Sequence, residues 1–217
     1  MEERDTGLIL RVRPLTESSL VVNWLAKEAG RISTVAKGAR QPKSAFLGKL
    51  DLYYLAEFSF SRNRRSDLHI LREVSVRETP TFLRKDIMAL QKAAYVGQLI
   101  ELATEAETPI PEVFALMQDF MLELASARSG PETVLACEVK FLVLMGLEPN
   151  LETSGLTAGA RQICQRMNIS DWPALANLRL TPPQAGELSL WLGRRIGQEW
   201  GRLPPARRAA LHCIAAL

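Results

Sequence analysis

The chain has 217 residues, of which 47% are hydrophobic, and its 27 basic and 24 acidic residues give a formal net charge of +3. This length and composition suffice for one large or two small domains with buried cores, and they exclude a disordered chain, a collagen and a disulfide scaffold. Because the acidic first residues do not form a signal peptide, no apolar run is long enough to cross a bilayer and three cysteines are widely scattered, we expect a cytoplasmic protein.

The first eighty residues have the pattern of β-strands. Apolar residues alternate with polar ones, or β-branched and aromatic residues are concentrated, in five segments: residues 8–13, 20–26, 31–36, 52–60 and 68–76. Gly30 lies between the second and third segments, where a tight turn needs a residue that tolerates positive φ. Five strands in about eighty residues predict a small closed barrel of the OB-fold type.

The period becomes helical after residue 81. We predict helices over residues 86–106 and 111–125, a third that begins at the capping-box spacing of Ser129 and runs to Gly146, a fourth that begins at Thr181, and a last one after Pro205. Residues 150–180 lose this periodicity and are predicted to be irregular. The fold class is therefore α+β, with an OB-fold domain over residues 1–80 and an all-α domain over residues 81–217.

Neither catalytic nor metal-binding signatures are evident. The chain lacks the phosphate-binding, dinucleotide-binding, zinc-protease and nucleophile-elbow motifs, and its two histidines, His69 and His212, are far apart in sequence. Cys137, Cys164 and Cys213 form no close pair, whereas structural zinc needs four ligands in close pairs. We predict no catalytic residue, no metal and no cofactor, and expect Cys137 and Cys213 to be buried and Cys164 to be partly exposed.

The small net charge conceals an uneven distribution. Residues 1–80 contain 14 basic and 10 acidic residues, residues 81–160 contain 5 and 11, and residues 161–217 contain 8 and 3. Residues 31–50 contain five basic residues and no acidic one. A window of this kind favours a surface that faces a polyanion, and a merely solvated surface is the alternative.

The strongest candidate for a binding site is the segment over residues 35–46, in which Lys37, Arg40 and Lys43 recur every third residue. Such cations attract phosphates without regard to base sequence. Phe46 has two open interpretations, stacking on a base or closing the end of the barrel. The candidate DNA-binding residues are Arg11, Arg13, Arg31, Lys37, Arg40, Lys43, Phe46, Lys49, Arg62, Arg64 and Arg65.

These residues also carry a resemblance. The order of residues 7–13, 15–22 and 30–46, and above all the block AKGARQPKS over residues 36–44, resembles the amino-terminal domain of the bacterial RecO family of recombination mediators. The resemblance implies an OB-fold joined to a helical domain, in a nucleoid-associated protein of DNA repair. It further implies binding of single- and double-stranded DNA, annealing of complementary strands, and help in loading the recombinase onto strands coated by single-strand-binding protein.

The resemblance also implies partners and a metal site. The partners are the RecR clamp and the acidic carboxy-terminal tail of single-strand-binding protein. Many family members carry a four-cysteine zinc site in the helical domain, but residues 150–180 retain only Cys164, so no metal is expected here.

A second candidate site lies in the basic last third of the chain. Arg194, Arg195, Arg207 and Arg208 border apolar helical faces, a combination that suits an acidic peptide with an aromatic residue and a free carboxylate; ordinary solvated charge is the alternative. A different class of function also stays open. The chain would then be a non-enzymatic interaction adaptor, with an OB-fold barrel and only an incidental basic surface.

Overall fold

Five strands form a closed barrel at the amino-terminal end of the chain. In a computed structural model, which describes residues 2–126, 130–148, 150–175 and 177–211, the strands are β1 (Glu2–Pro14), β2 (Leu20–Ala26), β3 (Gly30–Ala36), β4 (Leu55–Ser61) and β5 (Leu68–Glu78). They are ordered β1-β2-β3-β5-β4, and only the β3–β5 pair is parallel. The prediction of a five-stranded OB-fold barrel is confirmed.

Aromatic side chains fill the barrel because alternate residues of each strand point inward. The rings of Trp24 and Phe58 stack with centroids 4.1 Å apart, and Phe58 in turn stacks on Phe60. The indole Nε1 of Trp24 donates a 2.8 Å hydrogen bond to Thr34 Oγ1, which satisfies a buried polar group. Full burial of one such side chain stabilises the fold by about 1.5–3 kcal/mol.

Gly30 closes the β2–β3 hairpin, as predicted. Its φ is +71°, in the left-handed region that a residue with a Cβ atom avoids. A Cβ atom at this position would lie 2.4 Å from the carbonyl oxygen of Thr108, so the close approach of residues 104–114 also requires glycine here.

The chain divides into two compact units that do not follow chain order. The first contains Met1–Thr81 and also Thr104–Phe114, and the second contains Phe82–Ala103 and Ala115–Leu217. The returning stretch is bonded to β3, since the N–H of Glu107 donates a 2.9 Å hydrogen bond to the carbonyl oxygen of Arg31. The sequence assigned this stretch to the helical domain.

The second unit is built from helices. After a single 3-10 turn (Thr81–Arg84), they are α1 (Ile87–Ala103), α2 (Pro111–Ala125, whose first residues belong to the first unit), α3 (Pro131–Leu144), α4 (Ala158–Ile169), α5 (Trp172–Leu175), α6 (Pro182–Trp200) and α7 (Arg207–Ala210). The bounds predicted for α2 are confirmed. The predicted capping box of α6 is also confirmed, because Thr181 and Gln184 exchange side-chain and backbone hydrogen bonds. Gly130 is the N-cap of α3; the predicted cap Ser129, His212 and Cys213 lie outside the described residues.

The prediction that residues 150–180 are irregular is wrong, because helices α4 and α5 lie within them. Ala160, Cys164 and Met167 recur at spacings of four and three and are all buried, so α4 has a narrow apolar stripe among polar residues. The side chain of Thr157 caps its first turn. The exposure expected for Cys164 is wrong for the same reason, since this residue is 1% exposed. Over the described residues, no helix is both long and apolar enough to span a membrane.

Candidate nucleic-acid interface

The basic segment after β3 is a chain of tight turns. Gly38 has a φ of +68°, and the N–H groups of Gln41 and Ser44 donate hydrogen bonds to the carbonyl oxygens three residues before them. Arg40 connects the segment to the β1–β2 hairpin through two hydrogen bonds of 3.0 Å each. Its backbone N–H donates to Ser18 O, and its Nη1 donates to Thr16 O. The backbone that carries the cations is therefore fixed.

The three cations of this segment face solvent. Lys37, Arg40 and Lys43 are all exposed, and within the described ranges no carboxylate lies within 4 Å of their charged nitrogen atoms. Among the described residues, the Arg40 side chain bonds only to the neutral carbonyl of Thr16, which does not compensate its charge. Their positive charges are thus available to an anion from outside the chain.

Strand register brings two more cations to the same end of the barrel. Arg13 of β1 pairs with Val21, which pairs with Val35, two residues before Lys37. Arg13 and its neighbour Arg11 are exposed. We call this end, defined by Arg11, Arg13, Lys37, Arg40 and Lys43, the basic rim.

A second basic group lies toward the opposite end of β3. The hairpin over residues 62–67 immediately precedes Leu68, which pairs in parallel with Ser33. Ser33 and Lys37 are four residues apart in sequence, or about 13 Å along an extended strand. Arg64 and Arg65 in this hairpin are exposed, with the backbone N–H of Arg65 bonded to Asn63 Oδ1.

Two of the predicted phosphate contacts have partners within the first unit. Arg62 forms ion pairs with Glu3, 2.7 Å from Nε, and with Glu107; the hydrogen bond to Glu3 is the main reason that its pKa is raised. Arg31 donates from Nε to Thr104 Oγ1 over 3.2 Å and from Nη2 to Thr104 O over 2.8 Å. Arg62 is exposed but paired with two carboxylates, and Arg31 is half-buried and bonded to Thr104, so neither guanidinium is a free phosphate contact of the kind the sequence suggested.

Phe46 belongs to the barrel core and is 9% exposed. This burial supports the second of its two alternative roles, closing the end of the barrel, and corrects its assignment as a base-stacking residue. Lys49 lines a groove of about 810 Å³ beside Phe46, together with cations such as Arg72 and anions such as Glu73. Because the groove carries both signs of charge, Lys49 does not extend the basic rim.

Arg207, predicted to bind a partner's acidic tail, is instead part of a buried cluster in the helical unit. Its Nε and Nη2 donate to the two carboxylate oxygens of Glu138 over 2.7 and 2.9 Å, and the hydroxyl of Tyr95 donates to the same carboxylate. Burial works against the charged guanidinium, but the attraction of Glu138 dominates and raises the pKa of Arg207. Arg207 is therefore a structural residue, and this part of the prediction is wrong.

The other arginines of that group keep surface positions. Arg194 and Arg208 are exposed. Arg194 and Arg195 line a cavity of about 320 Å³ together with Trp191, Thr153 and Ser154. Nη2 of Arg195 lies 3.1 Å from Oε1 of Glu199, and Nε of Arg195 has no hydrogen-bond partner among the residues that the structure describes.

The helical unit does not offer a zinc site in the part of the chain described. No group of three or more histidine, cysteine, aspartate or glutamate side chains there is arranged to hold a metal ion. Burial raises the pKa of the Cys164 thiol to about 11. The residues present do not fit the four-cysteine site that the resemblance implies for many family members.

Sequence reasoning missed two acidic residues that shape these sites. Glu138 stands alone in the apolar run of α3, and an isolated acid in such a run is a usable signal of a buried ion pair. Glu107 gives no comparable signal, because its partners Arg62 and His69 are about forty residues away in sequence. Its left-handed backbone is also not foreseeable, since the residue is neither glycine nor asparagine.

Comparison with known proteins is consistent across both parts of the chain. The family profile "Recombination protein O N terminal" matches residues 1–80, and "Recombination protein O C terminal" matches residues 84–158. The chain is 29% identical over 210 residues to a "DNA repair protein RecO" of Myxococcus xanthus, covering 94% of this chain and 86% of that protein. It is 25% identical to the protein of that name from Syntrophus aciditrophicus, covering 89% and 79%, and 30% identical to that of Alkaliphilus metalliredigens, covering 70% and 61%.

Proposed function

The chain belongs to the RecO family of DNA repair proteins, and on this premise we propose that its barrel binds single- and double-stranded DNA and anneals complementary strands. In this proposal it also helps to load the recombinase onto strands coated by single-strand-binding protein, works in the cytoplasm at the nucleoid, and has no enzymatic turnover. The observation that carries the proposal is the basic rim, in which Lys37, Arg40 and Lys43 are exposed and unneutralised on a fixed backbone.

The physical basis of annealing is charge neutralisation without base recognition. Two strands repel each other through their phosphates, and a cationic surface that holds both lowers this repulsion. Because the ring of Phe46 is buried in the barrel, it does not stack on bases and leaves them free to pair. Contacts to phosphate alone carry no sequence information, so we expect binding to depend weakly on base sequence.

The deciding experiment is binding and annealing without any cofactor. Fluorescence anisotropy with a labelled single-stranded oligonucleotide measures affinity, and mixing two complementary oligonucleotides with and without the protein measures annealing. We expect salt-dependent binding and faster annealing without ATP or divalent metal. Absence of both would contradict the proposal and favour the interaction adaptor.

A second site is proposed for the acidic tail of single-strand-binding protein. The cavity is lined by an aromatic residue, Trp191, and two arginines, Arg194 and Arg195, a combination that suits a peptide that ends in an aromatic residue and a carboxylate. Arg208 is exposed and is kept in the proposal, whereas Arg207 is not, because Glu138 occupies it. The RecR clamp is proposed as a further partner on the family resemblance alone.

This second site is tested by titrating a labelled tail peptide against single variants. Arg194→Ala and Arg195→Ala should each weaken binding severalfold, because each removes a charge-assisted hydrogen bond to a carboxylate. Arg202→Ala is a suitable control, since Arg202 is exposed near the end of the same helix but does not line the cavity. Unchanged affinity in both cavity variants would contradict the site.

A further inference from the structure

Glu107 places its carboxylate between two basic side chains of the barrel. One oxygen pairs with Nη1 of Arg62, and the other lies 3.2 Å from Nε2 of His69. Arg62 is also paired with Glu3 through its Nε. One guanidinium is thus shared by two carboxylates, at the base of the hairpin that presents Arg64 and Arg65 to solvent.

The backbone around Glu107 is held in an unusual conformation. Its φ is +58°, a left-handed value that glycine and asparagine favour and that glutamate rarely adopts. The conformation is maintained by the hydrogen bond of the Glu107 N–H to Arg31 O, and by the two bonds from Arg31 to Thr104. A strained backbone that carries a charged side chain points to a role for that side chain.

His69 contributes to the same arrangement from inside the barrel. It is 1% exposed, and its Nδ1 accepts a hydrogen bond from the backbone N–H of Asn63 over 3.3 Å. Its Nε2 lies 3.2 Å from a carboxylate oxygen of Glu107 and makes no hydrogen bond among the described residues. The carboxylate therefore lies beside His69 on one side and is paired with Arg62 on the other.

The charge balance determines what this cluster does to an approaching anion. Arg62 contributes one positive charge, and Glu3 and Glu107 contribute two negative charges, so these three side chains together carry a net negative charge although the hairpin is rich in arginine. Within the hairpin itself, Arg64 and Arg65 then remain to attract phosphate. A carboxylate on a guanidinium occupies the positions that a phosphate oxygen would take.

We propose that Glu107 is an internal competitor of nucleic-acid phosphate for Arg62, and so limits how many of the hairpin's cations contact DNA. The inference rests on the proposed function, because it concerns the DNA-binding surface of the barrel. It assigns to residues 104–108, which lie between α1 and α2 in the chain, the role of a restraint on that surface.

The test compares Glu107→Gln with a matched control. Glu105→Gln removes the same charge from the same segment, but Glu105 is exposed and has no ion pair among the described residues. Affinity for a single-stranded oligonucleotide is measured by anisotropy from 50 to 200 mM salt, together with the thermal midpoint of each variant. Arg62→Ala, alone and combined with Glu107→Gln, completes the cycle.

If Arg62 is released, Glu107→Gln binds more tightly than the wild type at 50 mM salt and its log-log salt slope steepens by about 0.7, the value for one further phosphate contact to a single strand. With this steeper slope, the advantage in affinity of Glu107→Gln over the wild type falls by about 2.6-fold when the salt concentration rises fourfold, from 50 to 200 mM. Glu105→Gln should not steepen the slope, and Arg62→Ala should abolish the gain from Glu107→Gln.

Equal effects of Glu105→Gln and Glu107→Gln, or weaker binding by a folded Glu107→Gln protein, would overturn the inference. If Glu107→Gln lowers the thermal midpoint so far that binding is not measurable, Glu3→Gln tests the same competition from β1 and should also steepen the slope. An unchanged slope in Glu3→Gln would then count against it. If the wild type itself does not bind DNA, the proposed function fails, and this result is distinct from binding that is indifferent to Glu107.

Discussion

Arg207 binds the buried carboxylate of Glu138 with two hydrogen bonds, of 2.7 and 2.9 Å, and places a full positive charge in the interior of the helical unit. The side chain of Glu138 is completely buried, and that of Arg207 is 11% exposed. Each ion therefore depends on the other for the solvation that water would otherwise provide.

Loss of Arg207 should strongly destabilise the protein. Arg207→Ala leaves the Glu138 carboxylate buried without its cation, which typically destabilises a fold by about 3–5 kcal/mol. The adjacent Arg208→Ala should change stability by less than about 0.5 kcal/mol, because Arg208 is exposed. Denaturant unfolding measures both, and similar midpoints for the two variants would contradict a structural role for Arg207.

Replacement of Phe46 should affect the barrel rather than DNA binding. Phe46→Ala opens a cavity in the core and should lower the free energy of unfolding by about 3 kcal/mol, whereas Leu47→Ala, at a residue that is 67% exposed, should have little effect. Phe46→Leu fills part of the cavity, and its affinity for single-stranded DNA should equal that of the wild type. A marked loss of affinity in a stably folded Phe46→Leu protein would restore the base-stacking role.

Gly30 should tolerate substitution less well than another glycine with the same backbone conformation. Both Gly30 and Gly48 have a φ of +71°, but a Cβ atom at Gly48 meets nothing within 4 Å, whereas at Gly30 it collides with Thr108. Gly48→Ala should therefore lower the free energy of unfolding only by the cost of a left-handed backbone, about 1–2 kcal/mol, and Gly30→Ala should lower it further. Hydrogen exchange should also show reduced protection over residues 104–108 in Gly30→Ala, and equal behaviour of the two variants would contradict the close packing of this stretch.

Local sequence patterns predicted most of the fold. Strand alternation, the turn at Gly30, the bounds of α2 and the capping box at Thr181 each depend on neighbouring residues, and all are found in the structure. Helix α4 was not predicted because its apolar stripe consists of only three residues and its remaining surface is polar.

The candidate sites were less predictable because pairing between distant residues decides which cations are free. The motif over residues 36–44 correctly singled out exposed cations, whereas Arg62 and Arg207 look equally basic in the sequence. Their partners Glu107 and Glu138 are 45 and 69 residues away, respectively, and only the folded chain brings each pair together. Charge counting identifies a basic region, but it does not show which charges are already neutralised.

The role of the basic rim is tested most directly by the salt dependence of single-stranded DNA binding after its charges are reversed. The variant Lys37→Glu, Arg40→Glu, Lys43→Glu is compared with a control in which Arg4, Arg72 and Arg77, exposed cations elsewhere on the barrel, are reversed to glutamate. Both variants change the total charge equally. We predict that the rim variant loses about 2 units of log-log salt slope, corresponding to three phosphate contacts, and that the control keeps a slope near that of the wild type. Equal slopes for the rim variant and the wild type would contradict the assignment of this surface as the DNA interface.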